Sequence, residues 1–280
     1  MNIHTLTIVG VGLIGGSIAL AARQRGLARR VLGVDCQPAT LDEAQALGVI
    51  DEGVRDLATA ARRSALMVFC TPVDAIPAQV LAAAEACTPG TLLTDAGSTK
   101  AAIVRELDGR VPAHVTFIGS HPLAGSEKRG PRYADAHLFS NRVAVLTPTP
   151  QTDPAALVRL QAFWQGLGSR VRIMPADEHD RALALTSHLP HLVASALCGV
   201  LPAGLRELAA TGFRDTTRIA AGDPSIWTGI FAQNRDALLA ALPLLVGQLQ
   251  AYREALLADD RTAVDALLTQ AKRTRDALGS

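Results

Sequence analysis

Thr5-Leu-Thr-Ile-Val-Gly10-Val-Gly12-Leu-Ile-Gly15-Gly-Ser17 decides the fold. Residues 5–9 read as a strand, the glycines follow at G-x-G-x-x-G spacing, and Ser17 to Arg25 carries helical spacing. The first glycine of such a turn permits its tightness. The second lets the backbone approach a pyrophosphate, and the third lets helix and strand pack closely. The helix start adds unpaired N–H groups and the positive end of its dipole. Gly10, Gly12, Leu13, Ile14 and Gly15 are therefore expected to cradle a dinucleotide. Asp35 ends the next strand, 20 residues after Gly15. A carboxylate there accepts hydrogen bonds from the ribose hydroxyls and repels an extra phosphate. No arginine at position 36 or 37 would receive that phosphate, so NAD is expected rather than NADP.

Further along, Val31 to Val34, Leu66 to Cys70, Leu92 to Thr94, Thr116 to Ile118, Arg142 to Leu146 and Val171 to Met174 also read as strands. Helical stretches such as Pro77 to Ala86 and Pro154 to Leu167 separate them. Strand and helix in alternation predict an α/β fold, a Rossmann-like doubly wound parallel sheet covered on both faces, over residues 1–174. From about Pro175 the chain turns Ala/Leu-rich without a strand pattern. An all-α domain is expected over residues 175–280, with helices from Asp177, over Leu192 to Leu208 and from about Asn234, and a break or kink at Pro243. Its apolar surplus predicts a homodimer formed through the helical domain.

Composition narrows the partners. Apolar residues make up 49% and charged residues 19% of 280, and the net charge of +1 offers no field for nucleic acid or a membrane surface. Cys36, Cys70, Cys87 and Cys198 are scattered without a CxxC pair, so neither a disulfide framework nor a zinc site is indicated. The N-terminus shows no signal-peptide pattern, and the apolar run from Leu192 to Leu205 is too short to span a bilayer. A cytoplasmic protein acting on a small molecule is expected.

The chemistry beyond the dinucleotide needs a group that takes a proton as hydride leaves, a task suited to histidine. His121 follows a strand at the sheet's ligand-binding edge in Gly119-Ser-His-Pro122, and Ser98 follows another in Asp95-Ala-Gly-Ser-Thr-Lys100. Thr71 and Pro72, also after a strand, are placed to flank the cofactor ribose. The helical half offers Asp180, Ser187, His188 and His191. Helical spacing puts Asp180, Ser187 and His191 on one face, with Pro190 kinking the helix. A metal held by His188 and His191 lacks a spaced third ligand, and no metal is expected. Arg218, in Gly212-Phe-Arg-Asp-Thr-Thr-Arg218, suits a substrate carboxylate through its forked donors; a surface charge paired with Asp215 or Asp223 is the plainer alternative.

The segments Gly10-x-Gly-x-x-Gly-Gly-Ser17, Asp95-Ala-Gly-Ser-x-Lys100, Gly119-x-His-Pro-x-Ala-Gly-x-Glu127-x-x-Gly130, Ser187-His-Leu-Pro-His191 and Gly212-Phe-x-Asp-x-Thr-Arg-Ile-Ala220 together resemble the prephenate/arogenate dehydrogenase family over nearly the whole chain. The resemblance implies NAD-dependent oxidative decarboxylation in tyrosine biosynthesis and a helical domain that dimerises. It further implies His121 as the catalytic base on the ring hydroxyl, with Ser98 beside it. Arg218 is implied on a substrate carboxylate, Asp180 as an acid that orders the site, and His188, His191 and Glu127 along the substrate pocket. A monofunctional enzyme is expected. Two alternatives stay open: another two-domain NAD-linked dehydrogenase acting on a small hydroxy acid, and a non-catalytic NAD-binding protein. The first typically uses a lysine on its helical domain, where this chain has only Lys272. The second would not need His121, Ser98 and Arg218 together. A hydrolase reading lacks the G-x-S-x-G motif.

Overall fold

Strand β1 (Ile3–Val9) is buried along nearly its whole length, as a central strand covered on both faces must be. The computed structural model describes residues 3–126 and 128–279. After β1 come α1 (Leu13–Gln24), β2 (Ala28–Val34), α2 (Pro38–Ala46), β3 (Glu52–Gly53), α3 (Leu57–Ala61), β4 (Leu66–Phe69), α4 (Ile76–Ala84), β5 (Leu92–Asp95), α5 (Ala101–Leu107) and β6 (Thr116–Pro122). Strands β7 (Val143–Thr147) and β8 (Arg170–Ile173) flank α6 (Pro154–Gly166). The sheet runs β3-β2-β1-β4-β5-β6-β7-β8, and β1 to β6 pair in parallel. The order reverses between β1 and β4, which opens a crevice beyond their carboxyl ends where ligands of such sheets bind.

The parallel pairing expected of the sheet breaks at one step, between β6 and β7. Strand β7 runs antiparallel to β6, while β8 returns parallel to β7. The reason lies in the connection of residues 123–142, which among its described residues carries a 3-10 segment at Pro131–Tyr133. That segment stays at the carboxyl end of the sheet and packs on α1, where the Asp135 N–H donates to Ser17 Oγ at 2.9 Å. A connection that never crosses the sheet face brings the next strand back in the opposite direction. Two apolar layers flank the sheet. One holds Trp164, Phe163 and Phe139 with α1, and the other gathers the buried faces of α3, α4 and α5.

The helices that follow are α7 (Ala176–Leu183), α8 (Leu189–Gly199), α9 (Thr211–Thr217), α10 (Pro224–Gln233), α11 (Arg235–Leu257) and α12 (Arg261–Ala277). A π-helical turn, Ala184–His188, joins α7 to α8 just before Pro190. The combined rod 176–199 is long and apolar enough to cross a bilayer by length and composition, with mean hydropathy 1.2. Its inner face nevertheless carries buried His179, Asp180, His188 and His191, the pattern of a core helix with polar work to do.

Several boundaries differ from the sequence expectation. Helix α1 starts at Leu13, so the glycine turn feeds it directly. The helix expected over Leu192 to Leu208 stops at Gly199, and a 3-10 stretch, Ala203–Leu208, follows Pro202, which cannot continue an α-helix. Helix α11 continues through Pro243; the break comes at residues 258–260, where Asp259 adopts a left-handed backbone and Asp260 caps α12.

Contacts divide the chain into two compact units, residues 1–234 and 235–280. In the second unit α11 and α12 pack on one another. Leu239, Leu244, Leu249, Leu256, Leu257 and Leu268 are exposed there.

Candidate active site

The glycine turn has the shape a dinucleotide needs. Gly10 holds φ at +89°, and a Cβ there would stand 2.8 Å from the Cys70 carbonyl oxygen. A Cβ on Gly15 would fall 2.1 Å from the Gly10 carbonyl oxygen and 2.6 Å from Ile8 Cγ2, so α1 can lie this close to β1 only over a glycine. Gly12 is the opposite case, since a Cβ there would meet nothing within 4 Å. Open space above Gly12, at the head of a helix whose first N–H groups lack intrahelical acceptors, is a cradle fitted to a phosphate. Leu13 and Ile14, half-buried, form that first helical turn.

Asp35 stands just beyond β2, and its two oxygens accept from the Val11 N–H at 3.0 Å and the Gln37 N–H at 2.9 Å. These bonds fix the carboxylate beside the glycine turn and leave lone pairs for hydroxyl donors. Thr71 and Pro72 lie past the end of β4. The Thr71 methyl comes 3.0 Å from a Cβ built on Gly10, and its hydroxyl donates to Gln79 Oε1 at 2.5 Å. The residues expected to hold NAD therefore meet at the switch point of the sheet.

Strands β5 and β6 pair only from Leu92 to Thr94, against Thr116 to Ile118. Beyond that they splay, and polar groups fill the gap. Asp95 Oδ1 accepts from the Ser120 N–H at 3.0 Å, while Oδ2 accepts from the Gly97 N–H at 2.9 Å and binds the ammonium of Lys100. Both charges of that pair are fully buried. Gly119 makes room for it, because a Cβ there would lie 2.4 Å from Thr147 Oγ1 and 3.3 Å from Lys100 Cδ. Burial lowers the Lys100 pKa, against the opposing pull of Asp95 and Asp180.

Ser98 sits half-exposed at the crest of the 96–100 loop, and its neighbours are tied on both sides. Thr99 Oγ1 donates to Gln233 Oε1 at 2.6 Å. The Lys100 and Ala101 N–H groups donate to the two oxygens of Asp180 at 2.8 and 2.9 Å. Helix α5 has no side-chain cap of its own, so Asp180, brought from α7, satisfies its first donors.

His121 lies near the carboxyl end of β6, 9% exposed. Its Nδ1 hydrogen-bonds His179 Nε2 at 2.9 Å, and His179 Nδ1 meets Asp180 Oδ1 at 2.7 Å. Burial, then the nearby His179, Lys100 and His188, hold the His121 imidazole well below the usual histidine range. The loop after it returns to the cofactor turn, since a Cβ on Gly125 would lie 3.5 Å from Ile14 Cδ1.

His188 and His191 come from the helical rod. The sequence expectation placed Ser187 on the inner face with Asp180 and His191. Instead His188 is fully buried there and Ser187 is half-exposed. The π turn adds a residue to the helical register and turns His188 inward, a consequence simple helical counting misses. Asn234 Nδ2 donates to His188 Nδ1 at 2.9 Å and to the Asp180 carbonyl at 2.7 Å. Burial, opposed by Asp180, takes His188 down to about 4. His191 stacks on Trp227, with ring centroids 3.5 Å apart and planes at 11°. His188 Nε2 and His191 Nδ1 are buried without a hydrogen bond among the described residues.

Arg218 begins the 3-10 turn Arg218–Ala221, which packs on α8, and its side chain is exposed. The same turn leads to Gly222, whose added Cβ would touch Trp227 Nε1 at 2.6 Å and His191 Cε1 at 3.2 Å. Arg218 is thus carried on the element that borders the His191–Trp227 stack. Glu127, expected along the substrate pocket, lies outside the described residues. His179, Trp227, Gln233 and Asn234 were not anticipated from the sequence. For His179 a usable signal existed, its place next to Asp180; for the others the contacts are purely tertiary.

Among known proteins, the model of the prephenate dehydrogenase nucleotide-binding domain matches residues 18–173, and that of the prephenate dehydrogenase dimerization domain matches residues 175–270. Cyclohexadienyl dehydrogenase of Zymomonas mobilis is 34% identical over 262 residues, covering 91% of this chain and 89% of the relative. The crystal structure of prephenate dehydrogenase from Aquifex aeolicus, in complex with hydroxyphenyl propionate and NAD+, superposes with a TM-score of 0.91 at 30% identity over 98% of both chains. Synechocystis arogenate dehydrogenase superposes with a TM-score of 0.79 at 31% identity, over 98% of this chain and 99% of its own. With its Rossmann-like sheet, its glycine cradle and two family models spanning most of its length, the chain belongs to the prephenate dehydrogenase family.

Proposed function

We propose that this protein catalyses the NAD-dependent oxidative decarboxylation of prephenate, arogenate or both, in tyrosine biosynthesis, as a cytoplasmic homodimer. The observation that carries the reading is His121: a buried imidazole, held uncharged, on the strand whose following loop borders the glycine turn. Residues 1–174 form the dinucleotide half in this reading, and residues 175–280 the substrate and dimerisation half. The exposed leucines of α11 and α12 support pairing of two copies through the helical half.

When bound, NAD would supply the hydride acceptor for the hydroxyl-bearing ring carbon, whose oxidation accompanies loss of the ring carboxylate as carbon dioxide and aromatisation of the ring. Gly10, Gly12, Leu13, Ile14 and Gly15 would hold its pyrophosphate and Asp35 its adenosine ribose, with Thr71 and Pro72 flanking it. His121 accepts the proton of the ring hydroxyl, so the O–H bond breaks as an N–H bond forms, and Ser98 hydrogen-bonds that hydroxyl. Arg218 binds a substrate carboxylate. His188, His191 and Glu127 line the pocket, and Asp180 keeps the Ser98 loop in place. Aromatisation drives the loss of carbon dioxide, so the protein's task is alignment and proton removal.

The test is direct. Purified protein is mixed with NAD and either prephenate or arogenate, NADH formation is followed, and the aromatic product is identified. Formation of 4-hydroxyphenylpyruvate or tyrosine with stoichiometric NADH is expected. Failure to reduce NAD with both substrates would refute the reading.

A further inference from the structure

His121 can act as a base only through a nitrogen that carries no proton, and its two ring nitrogens are not equivalent. Nδ1 faces His179 Nε2 at 2.9 Å, which leaves Nε2 as the nitrogen for substrate. Which of the two carries the hydrogen follows from the far end of the chain of contacts. Asp180 already accepts from the Lys100 and Ala101 N–H groups, one on each oxygen. It is therefore an acceptor throughout, and the hydrogen in its 2.7 Å contact with His179 sits on His179 Nδ1. With a single hydrogen on Nδ1, His179 satisfies both of its contacts, donating to Asp180 and accepting from His121. Its Nε2 then presents a lone pair to His121, and the hydrogen of the 2.9 Å contact belongs to His121 Nδ1.

We propose that His179, bridging His121 and Asp180, is a positioning residue that fixes His121 as the Nδ1–H tautomer and so reserves its Nε2 lone pair for the substrate hydroxyl. The inference rests on the reading of His121 as the base. On proton transfer the hydroxyl O–H bond breaks and the Nε2–H bond forms. The resulting imidazolium keeps its Nδ1–H bond to His179, whose own Nδ1–H remains on Asp180. The ionisable groups that bear on the His121 ring are His179, Lys100 and His188. None of the last two is among the hydrogen-bond partners of its Nδ1, so the tautomer depends on His179 alone. His179 and Asp180 are both buried, which keeps water from competing as the acceptor.

The test reads the tautomer and the rate separately. NMR of protein labelled with nitrogen isotope in histidine, with the His121 signal assigned by its loss in His121→Asn, should show Nδ1 protonated and Nε2 bare. In His179→Leu the Nε2–H form should gain population. In the same variant kcat should fall roughly ten- to a thousandfold with KM nearly unchanged. His179→Gln, whose amide can accept from His121 and donate to Asp180, should restore the Nδ1–H form and most of kcat. It also keeps the test open if the leucine variant does not fold. A wild-type His121 protonated on Nε2 would overturn the inference, as would full turnover in His179→Leu alongside a dead His121→Asn. Normal turnover in His121→Asn would instead bring down the underlying assignment of the base, while the NMR result would stand apart from it.

Discussion

The Asp180 carboxylate accepts the Lys100 backbone N–H at 2.8 Å across 80 residues of chain, and through that bond α7 closes the N-terminus of α5. Asp180→Ala would leave the Lys100 and Ala101 donors, the first of them fully buried, without an acceptor. A loss of roughly 2–4 kcal/mol in unfolding free energy is expected, read from urea titration. A change below about 0.5 kcal/mol would show that the cap contributes nothing.

The glycine turn separates binding from folding. Gly12→Ala places its methyl in open space and should leave thermal stability nearly unchanged while weakening NAD at least about tenfold. Gly15→Ala drives a methyl onto the Gly10 carbonyl oxygen and should destabilise the fold by about 2 kcal/mol or more. Calorimetry of both variants with and without NAD distinguishes the two effects.

For His121, replacement by Asn should keep NAD and substrate binding and lower kcat by roughly a hundred- to ten-thousandfold. Because burial holds its pKa well below the ordinary value, the wild-type acid limb should lie below pH 6.5. A half-maximal point at or above 6.5 would contradict a buried, uncharged base.

Discrimination between cofactors should pass through Asp35. Asp35→Ala removes the acceptor fixed by Val11 and Gln37 and the charge that repels a ribose phosphate. The ratio of kcat/KM for NAD over NADP should drop at least about tenfold. An unaltered ratio would place cofactor choice elsewhere.

Acid should weaken the fold in a defined window. The folded value of His188, about 4, lies below the unfolded value of 6.5, so the unfolded chain takes up that proton first as pH falls. Stability from this group is complete above about pH 6.5 and is lost progressively on the way down to about 4. The full effect is on the order of 3 kcal/mol. Denaturation midpoints at a series of pH values should show this slope, and it should be shallower in His188→Asn.

Local chemistry is what made part of this site readable in advance. The glycine spacing and Asp35 answer to one turn and the strand beside it, so sequence distance carries the geometry. His121 and Ser98 were legible because they stand at or just past the ends of strands on the carboxyl edge of a sheet, where side chains meet ligands. The bridge through His179 was not, since it depends on α7 lying against the 96–100 loop. Counting along a regular helix put Ser187 on the face of Asp180 and His191 and left the re-aiming of His188 to the kink at Pro190; the π turn ahead of that proline shifts the register by a residue and turns His188 inward. The reversed strand β7 was hidden for a related reason: the path of residues 123–142 is set by packing on α1.

The bond between Asp180 and the head of α5 also bears on modularity. A chain severed after residue 174 keeps every strand and the dinucleotide turn, yet it loses the acceptor for Lys100 and Ala101 and the ring that steadies His121. Chimaeras that graft a foreign helical segment onto this sheet must import a histidine–aspartate pair at the matching place, or His121 will lose the contact that orients its ring.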